Sequence, residues 1–247
     1  MMSLLKEKVA VVTGSSKGIG RAIAHELANA GAKVVVNYSG DQSAADDVVA
    51  SIESLGGEAF AIKADVSKKA EVARLFEESI ARFGKIDIWV NNAGVMLNGL
   101  VKDLSEELLE KQLDINFKGV FYSLQLAATK LADNGSIINL SSTVTRTVFP
   151  TYGVYSATKA AVEQLSRVFA KEIGSRGINV NCVLPGPTAT DLFLNGKSEQ
   201  LIAQIASTNA FQRLGAPDEI AKVVAFLASD EAKWISGQSI GANGGMA

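Results

Sequence analysis

The feature that most constrains how this chain can fold is a regular alternation of two kinds of apolar segment. Short runs rich in valine and isoleucine, such as 8–13, 33–37 and 136–140, predict buried β-strands. Longer segments between them, such as 19–30 and 152–173, carry apolar residues at helical spacing. Because the two types alternate along the whole chain without a linker or repeat, we expect one α/β domain over 1–247. Its core would be a parallel sheet of about seven strands with helices on both faces, with a (β/α)8 barrel as the competing architecture.

The composition excludes several classes of protein. Hydrophobic residues make up 47% of the 247 residues and charged residues 20%, which is not the composition of a disordered chain. Cys182 is the only cysteine and His25 the only histidine, so we expect neither a disulfide framework nor a Cys/His metal site. A formal net charge of -2 argues against a nucleic acid partner.

Neither a membrane span nor a secretion signal is evident. The longest stretches without Asp, Glu, Lys or Arg have 14 residues, for example Ile88–Val101. A spanning helix needs about 20 mostly apolar residues. The segment 1–7 lacks the apolar core of a signal peptide. We therefore expect a cytoplasmic protein without a membrane partner.

A glycine-rich turn, 13–20 (Thr-Gly-Ser-Ser-Lys-Gly-Ile-Gly), joins the first predicted strand to the first predicted helix. Such a turn directs backbone N–H groups and the positive end of the helix dipole to one point, which binds phosphate. The glycines allow a tight turn and close approach of a pyrophosphate. A plain turn that happens to be rich in glycine is the alternative, since the spacing is not Gly-x-Gly-x-x-Gly. The turn favours a Rossmann-type, doubly wound sheet in three α/β/α layers over a barrel.

This glycine spacing resembles the Thr-Gly-x-x-x-Gly-x-Gly motif of the short-chain dehydrogenase/reductase family. Further motifs of that family follow in order: NNAG at 91–94, the segment Asp-Ile-Asn-Phe-Lys-Gly around Asn116, Ser142, YxxxK at 155–159, and PGxxxT at 185–190. Each motif is moderately specific, whereas the ordered set is very specific. The resemblance extends over essentially the whole chain.

The resemblance implies a catalytic set of Asn116, Ser142, Tyr155 and Lys159. Tyr155 would be the general acid and Ser142 would hydrogen-bond the substrate oxygen. Lys159 would also hold the nicotinamide ribose hydroxyls, and Asn116 would anchor a water linking Lys159 to bulk solvent. The alternative for Asn116 is a polar residue that bends the long amphipathic segment predicted to begin at Ser105. Strand alternation lets only one of two adjacent serines face the site, and the interval to Tyr155 selects Ser142 over Ser141.

The pair Tyr155 and Lys159 also makes sense as chemistry. A spacing of four places both side chains on one face of a helix, although such a pair also arises by chance. The ordinary pKa of tyrosine, about 10, is high for proton transfer at neutral pH. Because a nearby cation favours tyrosinate, we expect Lys159 to lower the pKa of Tyr155.

The end of the second predicted strand decides between the two nicotinamide cofactors. A carboxylate there would bind the adenosine ribose and repel a 2′-phosphate. This chain reads Val-Asn-Tyr-Ser at 36–39, and the first acid is Asp41. Lys17, just before Gly18, matches a basic residue that related NADP-dependent enzymes often carry. We therefore predict NADP(H) over NAD(H), with an ordinary solvated lysine as the alternative for Lys17.

The resemblance extends to two larger groups of residues. The cofactor contacts it implies are Gly14, Ser16, Lys17, Gly18, Ile19, Gly20, Asn37, Tyr38, Ser39, Asp65, Val66, Asn92, Ala93, Gly94, Tyr155, Lys159, Pro185, Gly186, Thr188 and Thr190. Asp65 would accept a hydrogen bond from the adenine amino group, cap a helix, or do both. The substrate pocket, with a binding segment at about 188–212 in this family, would contain Met96, Val144, Phe149, Tyr152, Pro187 and Phe193.

These features predict a carbonyl reductase that uses NADPH to convert a ketone or aldehyde to an alcohol. The apolar residues of 191–211 favour an uncharged, hydrophobic or small carbonyl substrate over a sugar phosphate. One alternative is a 3-oxoacyl-[acyl-carrier-protein] reductase, which a basic patch of Lys102, Arg146, Lys197 and Arg213 near the pocket would favour. Another is a non-catalytic dinucleotide sensor on the same fold. The resemblance further implies a homotetramer.

Overall fold

A seven-stranded parallel sheet forms the centre of the computed structural model, which describes residues 4–247. The first three residues of the segment considered for a signal peptide lie outside it. The strands are β1 (Val9–Val12), β2 (Lys33–Tyr38), β3 (Ala59–Lys63), β4 (Ile88–Asn91), β5 (Ser136–Leu140), β6 (Asn179–Pro185) and β7 (Ser239–Ala242).

The strand order confirms the predicted fold class. It is β3-β2-β1-β4-β5-β6-β7, and every neighbouring pair is parallel. An open sheet with β3 and β7 at its edges excludes the barrel. The winding direction changes between β1 and β4, and doubly wound sheets bind ligands at the carboxyl ends of such strands.

Helices cover both faces of the sheet. They are α1 (Gly18–Asn29), α2 (Gln42–Ser54), α3 (Lys69–Phe83), α4 (Glu106–Leu113), α5 (Gly119–Lys130), α6 (Val144–Thr147), α7 (Gly153–Ile173), α8 (Asp191–Leu194), α9 (Glu199–Ala206) and α10 (Pro217–Ala228). Within residues 4–247, no helix is long and apolar enough to cross a membrane. The same residues contain no group of His, Cys, Asp and Glu side chains that could hold a metal ion.

The alternation of side chains along the strands builds two apolar layers. In β1, Ala10 and Val12 pack into the cluster under α1, α2 and α10, whereas Val11 packs into the cluster under α3, α5 and α7. Phe76 and Trp89 stack in the second layer with ring centroids 3.9 Å apart. Each fully buried side chain of this size contributes about 2 kcal/mol, so the two layers hold the strand ends firmly in place.

The long amphipathic segment predicted from Ser105 is interrupted. The Ser105 hydroxyl caps α4 by accepting a hydrogen bond from the Leu108 amide, as its position predicts. After α4 the backbone forms a π-helical turn over Asp114–Lys118 before α5 begins at Gly119. Such turns are rare and often lie at functional sites. This one contains Asn116 and places it beside α7, where its Nδ2 donates to Thr158 Oγ1 at 3.3 Å.

Candidate active site

A cavity of about 1020 Å³ lies at the carboxyl ends of the central strands. Every residue predicted for cofactor or substrate lines it, and so do Ser142, Tyr155 and Lys159. Asn116 alone of the predicted residues is absent from the wall. The chain therefore brings residues from distant parts of the sequence into one site of the size expected for a small-molecule ligand.

The glycines of the first turn are required by its geometry. Gly14 and Gly18 have φ angles of +62° and +56°, which side chains other than glycine rarely adopt. A Cβ at Gly14 would lie 3.0 Å from Ala93 Cα, and a Cβ at Gly20 would overlap Asn92 Nδ2 and the Gly14 carbonyl. At these three positions the turn therefore presents backbone, without a side chain, to the cavity.

Hydrogen bonds fasten this turn to the loop after β4. Thr13 Oγ1 accepts from the amides of Asn92 and Ala93 at 3.0 and 3.1 Å. Asn92 Nδ2 donates to the carbonyls of Thr13 and Gly14 at 2.9 and 3.0 Å. Asn92 lines the cavity, but its side-chain amide braces the turn.

The N-terminus of α1 fits the phosphates of a dinucleotide. Its N-cap residue, Lys17, makes no side-chain capping bond. The N–H groups of the first helical turn have no acceptor within the helix, so they are donors for an anion that approaches over the glycines. The side chain of Lys17 is exposed at the rim of the cavity, beside Ser39.

Asn37 has a different role from a direct phosphate ligand. Its side chain is buried, with Oδ1 accepting from the Gly14 amide at 3.1 Å. Nδ2 donates to the carbonyls of Ile62 and Ala64 at 3.2 and 3.1 Å. Asn37 therefore ties the end of β2 to the glycine turn and to β3. Lys17, Ser39 and Asp41 are exposed polar residues that line the same cavity, and the Asp41 carboxylate accepts from the Ala44 amide at 3.0 Å.

Asp65 forms a local turn and lines the cavity. One carboxylate oxygen accepts from the amide and the hydroxyl of Ser67 at 3.0 and 2.7 Å. The carboxylate does not cap α3, whose N-cap residue is Lys68. Asp65 and Val66 both lie in the cavity wall, so the contact with adenine stays a prediction.

Three of the four catalytic candidates lie together at the end of β5. Tyr155 and Lys159 are buried, and Ser142 is half-buried. Lys159 Nζ donates to the carbonyl of Leu140 at 2.7 Å and lies 5.8 Å from the centroid of the Tyr155 ring. The Ser142 hydroxyl lies beside Tyr155 and lowers its pKa. Helix α7 presents Tyr155 and Lys159 on the same face, as their spacing predicts.

The expectation that Lys159 lowers the pKa of Tyr155 is wrong. Burial raises the pKa of Tyr155 to about 12, and the hydrogen bond from Ser142 opposes this only in part. Burial also lowers the pKa of Lys159 to about 8. The cause is desolvation, which disfavours the charged form of each side chain. Tyr155 therefore keeps its proton at neutral pH, as a proton donor must.

Asn116 lies directly behind the cavity wall. Its Oδ1 accepts from the Val95 amide and its Nδ2 donates to the Val95 carbonyl, both at 2.8 Å. A Cβ at Gly94 would lie 3.2 Å from Asn116 Oδ1 and 3.4 Å from Lys159 Nζ. The absence of a side chain at Gly94 thus lets Asn116 and Lys159 both lie close to this backbone position.

The substrate end contains residues that were not singled out from the sequence. Leu201 and Ile205 of α9 line the cavity, as does Met246. Leu192 of α8 also lines it, and it belongs to the apolar residues of 191–211 that were expected near the substrate. The spacing of four between Leu201 and Ile205 is a helical signal that could have identified them. Nothing in the sequence around Met246 indicates that the chain folds back onto the pocket. Helix α8 is a single short turn, capped by the Thr190 side chain, which accepts from the Phe193 amide.

The proposed basic patch does not assemble at the cavity. Arg213 pairs with Glu219 at 2.6 Å, and Arg146 Nη2 donates to the carbonyl of Ser239 at 2.9 Å. Of the four basic residues considered, only Lys197 lines the cavity.

A glycine turn at the switch point of an open parallel sheet, with a half-buried serine and a buried tyrosine and lysine in the same cavity, defines a dinucleotide-dependent oxidoreductase. The family model described as enoyl-(acyl carrier protein) reductase matches residues 14–247. NADPH-dependent aldehyde reductase 2, chloroplastic, of Arabidopsis thaliana is 41% identical over 256 residues, covering 98% of this chain and 94% of that protein. The 3-oxoacyl-[acyl-carrier-protein] reductase FabG of Staphylococcus epidermidis is 43% identical over 241 residues, covering 97% and 98%. The chain belongs to the short-chain dehydrogenase/reductase family.

Solved structures agree with the fold and with the predicted cofactor. The angucycline C-6 ketoreductase LanV with bound NADP superposes with a TM-score of 0.94 at 40% identity, covering 98% of this chain and 96% of that one. A blue fluorescent protein from a metagenomic library, in complex with NADPH, superposes with a TM-score of 0.94 at 34% identity, covering 99% of both chains. These complexes agree with the choice of NADP(H) over NAD(H).

Proposed function

We propose that this protein is a carbonyl reductase that uses NADPH to convert a ketone or aldehyde to an alcohol. The observation that carries the proposal is that Ser142, Tyr155 and Lys159 lie in the same cavity as the glycine turn. The cofactor is NADP(H), and cells generally keep NADPH poised for reduction.

The hydroxyls of Ser142 and Tyr155 hold the substrate carbonyl oxygen. Bound NADPH supplies the hydride that adds to the carbonyl carbon. As negative charge develops on the oxygen, the two hydroxyls stabilise it in the manner of an oxyanion hole. Tyr155, with a pKa of about 12, retains its proton until that charge appears and then transfers it to the oxygen.

Lys159 returns a proton to Tyr155. Its pKa of about 8 lies close to neutral pH, so it can both hold and release a proton under physiological conditions. Asn116 Oδ1 already accepts from Val95. A carbonyl oxygen has a second lone pair, with which Asn116 can anchor a water next to Lys159.

Lys17 and Ser39 are the residues we assign to the 2′-phosphate. Both are exposed and line the cavity, and neither the end of β2 nor the residue after it is an acid. The next acidic residue along the chain, Asp41, also lines the cavity and is engaged in capping α2. The test is the ratio of kcat/KM with NADPH to kcat/KM with NADH, which should exceed one and fall about tenfold in Lys17→Ala. Stronger activity of the unaltered protein with NADH would contradict the assignment.

The substrate is held by the segment at about 188–212 together with the residues after Ser142. Aromatic and aliphatic side chains dominate this wall, among them Phe149, Tyr152 and Phe193. An uncharged hydrophobic carbonyl compound fits such a surface better than a phosphorylated sugar.

A second candidate is a 3-oxoacyl-[acyl-carrier-protein] reductase, favoured by the identity with the Staphylococcus epidermidis protein. Two observations weaken this candidate, because an acidic carrier would need an accessible basic patch. Arg213 is paired with Glu219, and Arg146 does not line the cavity. A non-catalytic sensor is less well supported, because it would have no use for a buried tyrosine and lysine.

We also propose that the protein acts in the cytoplasm as a homotetramer. Phe121 of α5 and Val168 of α7 are exposed apolar residues. Helix α5 directly follows the π-helical turn that contains Asn116, and α7 contains Tyr155 and Lys159. Trp234, between α10 and the edge strand β7, is 100% exposed. Burial of these side chains between subunits would remove a large apolar area from water. Sedimentation that shows only monomer would overturn this proposal.

The reaction is tested with a panel of carbonyl compounds and NADPH, followed by loss of absorbance of the reduced cofactor. We expect turnover of hydrophobic ketones or aldehydes. Activity confined to an acyl thioester in the panel would favour the carrier-protein reductase. Tight NADPH binding without turnover of any compound would favour the sensor.

A further inference from the structure

Leu140, the last residue of β5, and the two residues after it each lie against a residue of α7. The carbonyl of Leu140 accepts from Lys159 Nζ, and the Ser142 side chain lies beside Tyr155. Ser141 lies between them, and its hydroxyl donates to Glu163 Oε1 at 2.7 Å. Three consecutive residues are thus matched to side chains on successive turns of one helix.

Glu163 is a buried carboxylate that the proposed reaction does not use. It is 7% exposed and lies one helical turn beyond Lys159. None of the ion pairs formed within residues 4–247 involves it. A buried carboxylate without a basic partner is costly, so its bond to Ser141 is the contact that holds it in place.

Ser141 is anchored in two directions. Its amide donates to the Val183 carbonyl at 2.8 Å, which ties the backbone to β6. Its hydroxyl reaches α7 through Glu163 and also lies 3.4 Å from the carbonyl oxygen of Lys159. The backbone that carries Ser142 is therefore fixed to the neighbouring strand and to the catalytic helix at the same point.

We propose that Glu163 is a positioning residue for the reductase: through Ser141 it holds the backbone of Ser142, and with it the Ser142 hydroxyl, beside Tyr155. The inference rests on the proposed function. It assigns to Ser141, whose hydroxyl bonds Glu163, the role of a link between Glu163 and its catalytic neighbour.

The first test compares two substitutions of Glu163. Glu163→Met removes the acceptor and keeps the length of the side chain, and we expect kcat to fall at least about tenfold with little change in KM. Glu163→Gln keeps an oxygen that can accept from Ser141 and should retain kcat within about threefold. A Glu163→Met variant with unchanged kcat, or a Glu163→Gln variant as slow as Glu163→Met, would overturn the proposal.

Two controls separate positioning from stability. Ser166→Ala removes a buried hydroxyl of α7 that does not contact residues 140–142, and it should lower the thermal midpoint without lowering kcat. Glu172→Gln removes an exposed carboxylate of the same helix and should change neither. If Ser166→Ala reduced kcat as much as Glu163→Met, the effect would be structural and the proposal would fail.

Combination with Ser142→Ala identifies the route. If Glu163 acts through Ser142, then Glu163→Met causes little further loss of kcat once Ser142 is gone. An equal loss of kcat in both backgrounds would show that Glu163 acts through another group.

Hydrogen exchange tests the same contact without a substrate. The amides of Ser141 and Thr143 donate to β6, and we expect their exchange to accelerate about tenfold in Glu163→Met but not in Glu163→Gln or Ser166→Ala. Unchanged exchange in Glu163→Met would overturn the positioning role. If the unaltered protein reduces no carbonyl, the proposed function fails, while this measurement still decides whether Glu163 holds the end of β5.

Discussion

The two ends of the cavity are built in different ways. The cofactor end is formed by strand ends and the first turn of α1, and hydrogen bonds such as those between Thr13 and Asn92 brace it. The substrate end is formed by the short helices α6, α8 and α9 and the loops between them. Positive φ angles show the same contrast. At the cofactor end they fall on Gly14 and Gly18, whereas β-branched Val148 and Thr151 adopt them at the substrate end.

This difference separates the part of the site that must be exact from the part that can vary. The cofactor end binds the same pyrophosphate and nicotinamide groups in every turnover, so glycines and hydrogen-bonded loops can be fitted closely to them. Substrates differ among related enzymes, and loops accommodate change at low cost to the core. A backbone conformation such as that of Val148 costs about 1–3 kcal/mol. The molecule tolerates this cost in a loop beside the pocket, because the sheet does not depend on that loop for its stability.

We expect the largest effect on kcat from Tyr155, which lies where the cofactor end and the substrate end of the cavity meet. Tyr155→Phe removes only the hydroxyl, and we expect kcat to fall about a thousandfold because no other side chain can donate the proton. The dissociation constant of NADPH, measured by fluorescence, should change less than about threefold, since the ring that lines the cavity remains. Carbonyl reduction at an undiminished rate would refute the assigned role of Tyr155.

Substitutions at each end should separate binding of the cofactor from binding of the substrate. Gly14→Ala combines a φ of +62° with a Cβ 3.0 Å from Ala93 Cα, so we expect NADPH binding to weaken about a hundredfold. Phe193→Ala at the other end should raise KM for a hydrophobic carbonyl about tenfold and leave NADPH binding unchanged. Titration of both variants with NADPH measures this. Equal effects of both variants on NADPH affinity would break the comparison.

The rigid half of the site was the more predictable from sequence. Glycines, an i and i+4 pair on one helix, and the absence of an acid at the end of β2 are local signals that survive folding. The chain order of the motifs then places them at adjacent strand ends, because parallel strands share one carboxyl edge.

Tertiary structure decides the features that sequence reasoning missed. The π-helical turn at Asp114–Lys118 adds one residue to a turn, which an apolar period does not reveal. The pKa of Tyr155 depends on how much of the chain covers it, so the Tyr155–Lys159 spacing alone gave the wrong direction. Met246 lies in the segment after β7 and lines the pocket, and no periodic sequence pattern indicates this placement.

The pH dependence of kcat sharpens the role of burial at the junction. Lys159 has a pKa of about 8, and only its protonated form can return a proton to Tyr155. We expect kcat to be constant below that value and to fall about tenfold per pH unit above it. Tyr155, with a pKa of about 12, remains protonated throughout this range. Rates measured from about pH 6 to about pH 10 decide the matter, and a rate that stayed constant up to the highest pH would exclude the relay through Lys159.

The smallest expected effect tests the strain at the substrate end. Val148 has a φ of 46°, so its backbone is strained. Its side chain is 79% exposed and therefore buries little apolar surface. Val148→Gly should therefore stabilise the protein by about 1 kcal/mol and raise the thermal midpoint by about 2–4 °C. Asn134→Gly is the matched control, because Asn134 has a similar φ of 59° but belongs to a residue type that tolerates this region. Since Asn134 carries little strain, the control should gain at most a few tenths of a kcal/mol. Equal gains from both substitutions would mean that the benefit of glycine is general and that strain is not concentrated beside the substrate pocket.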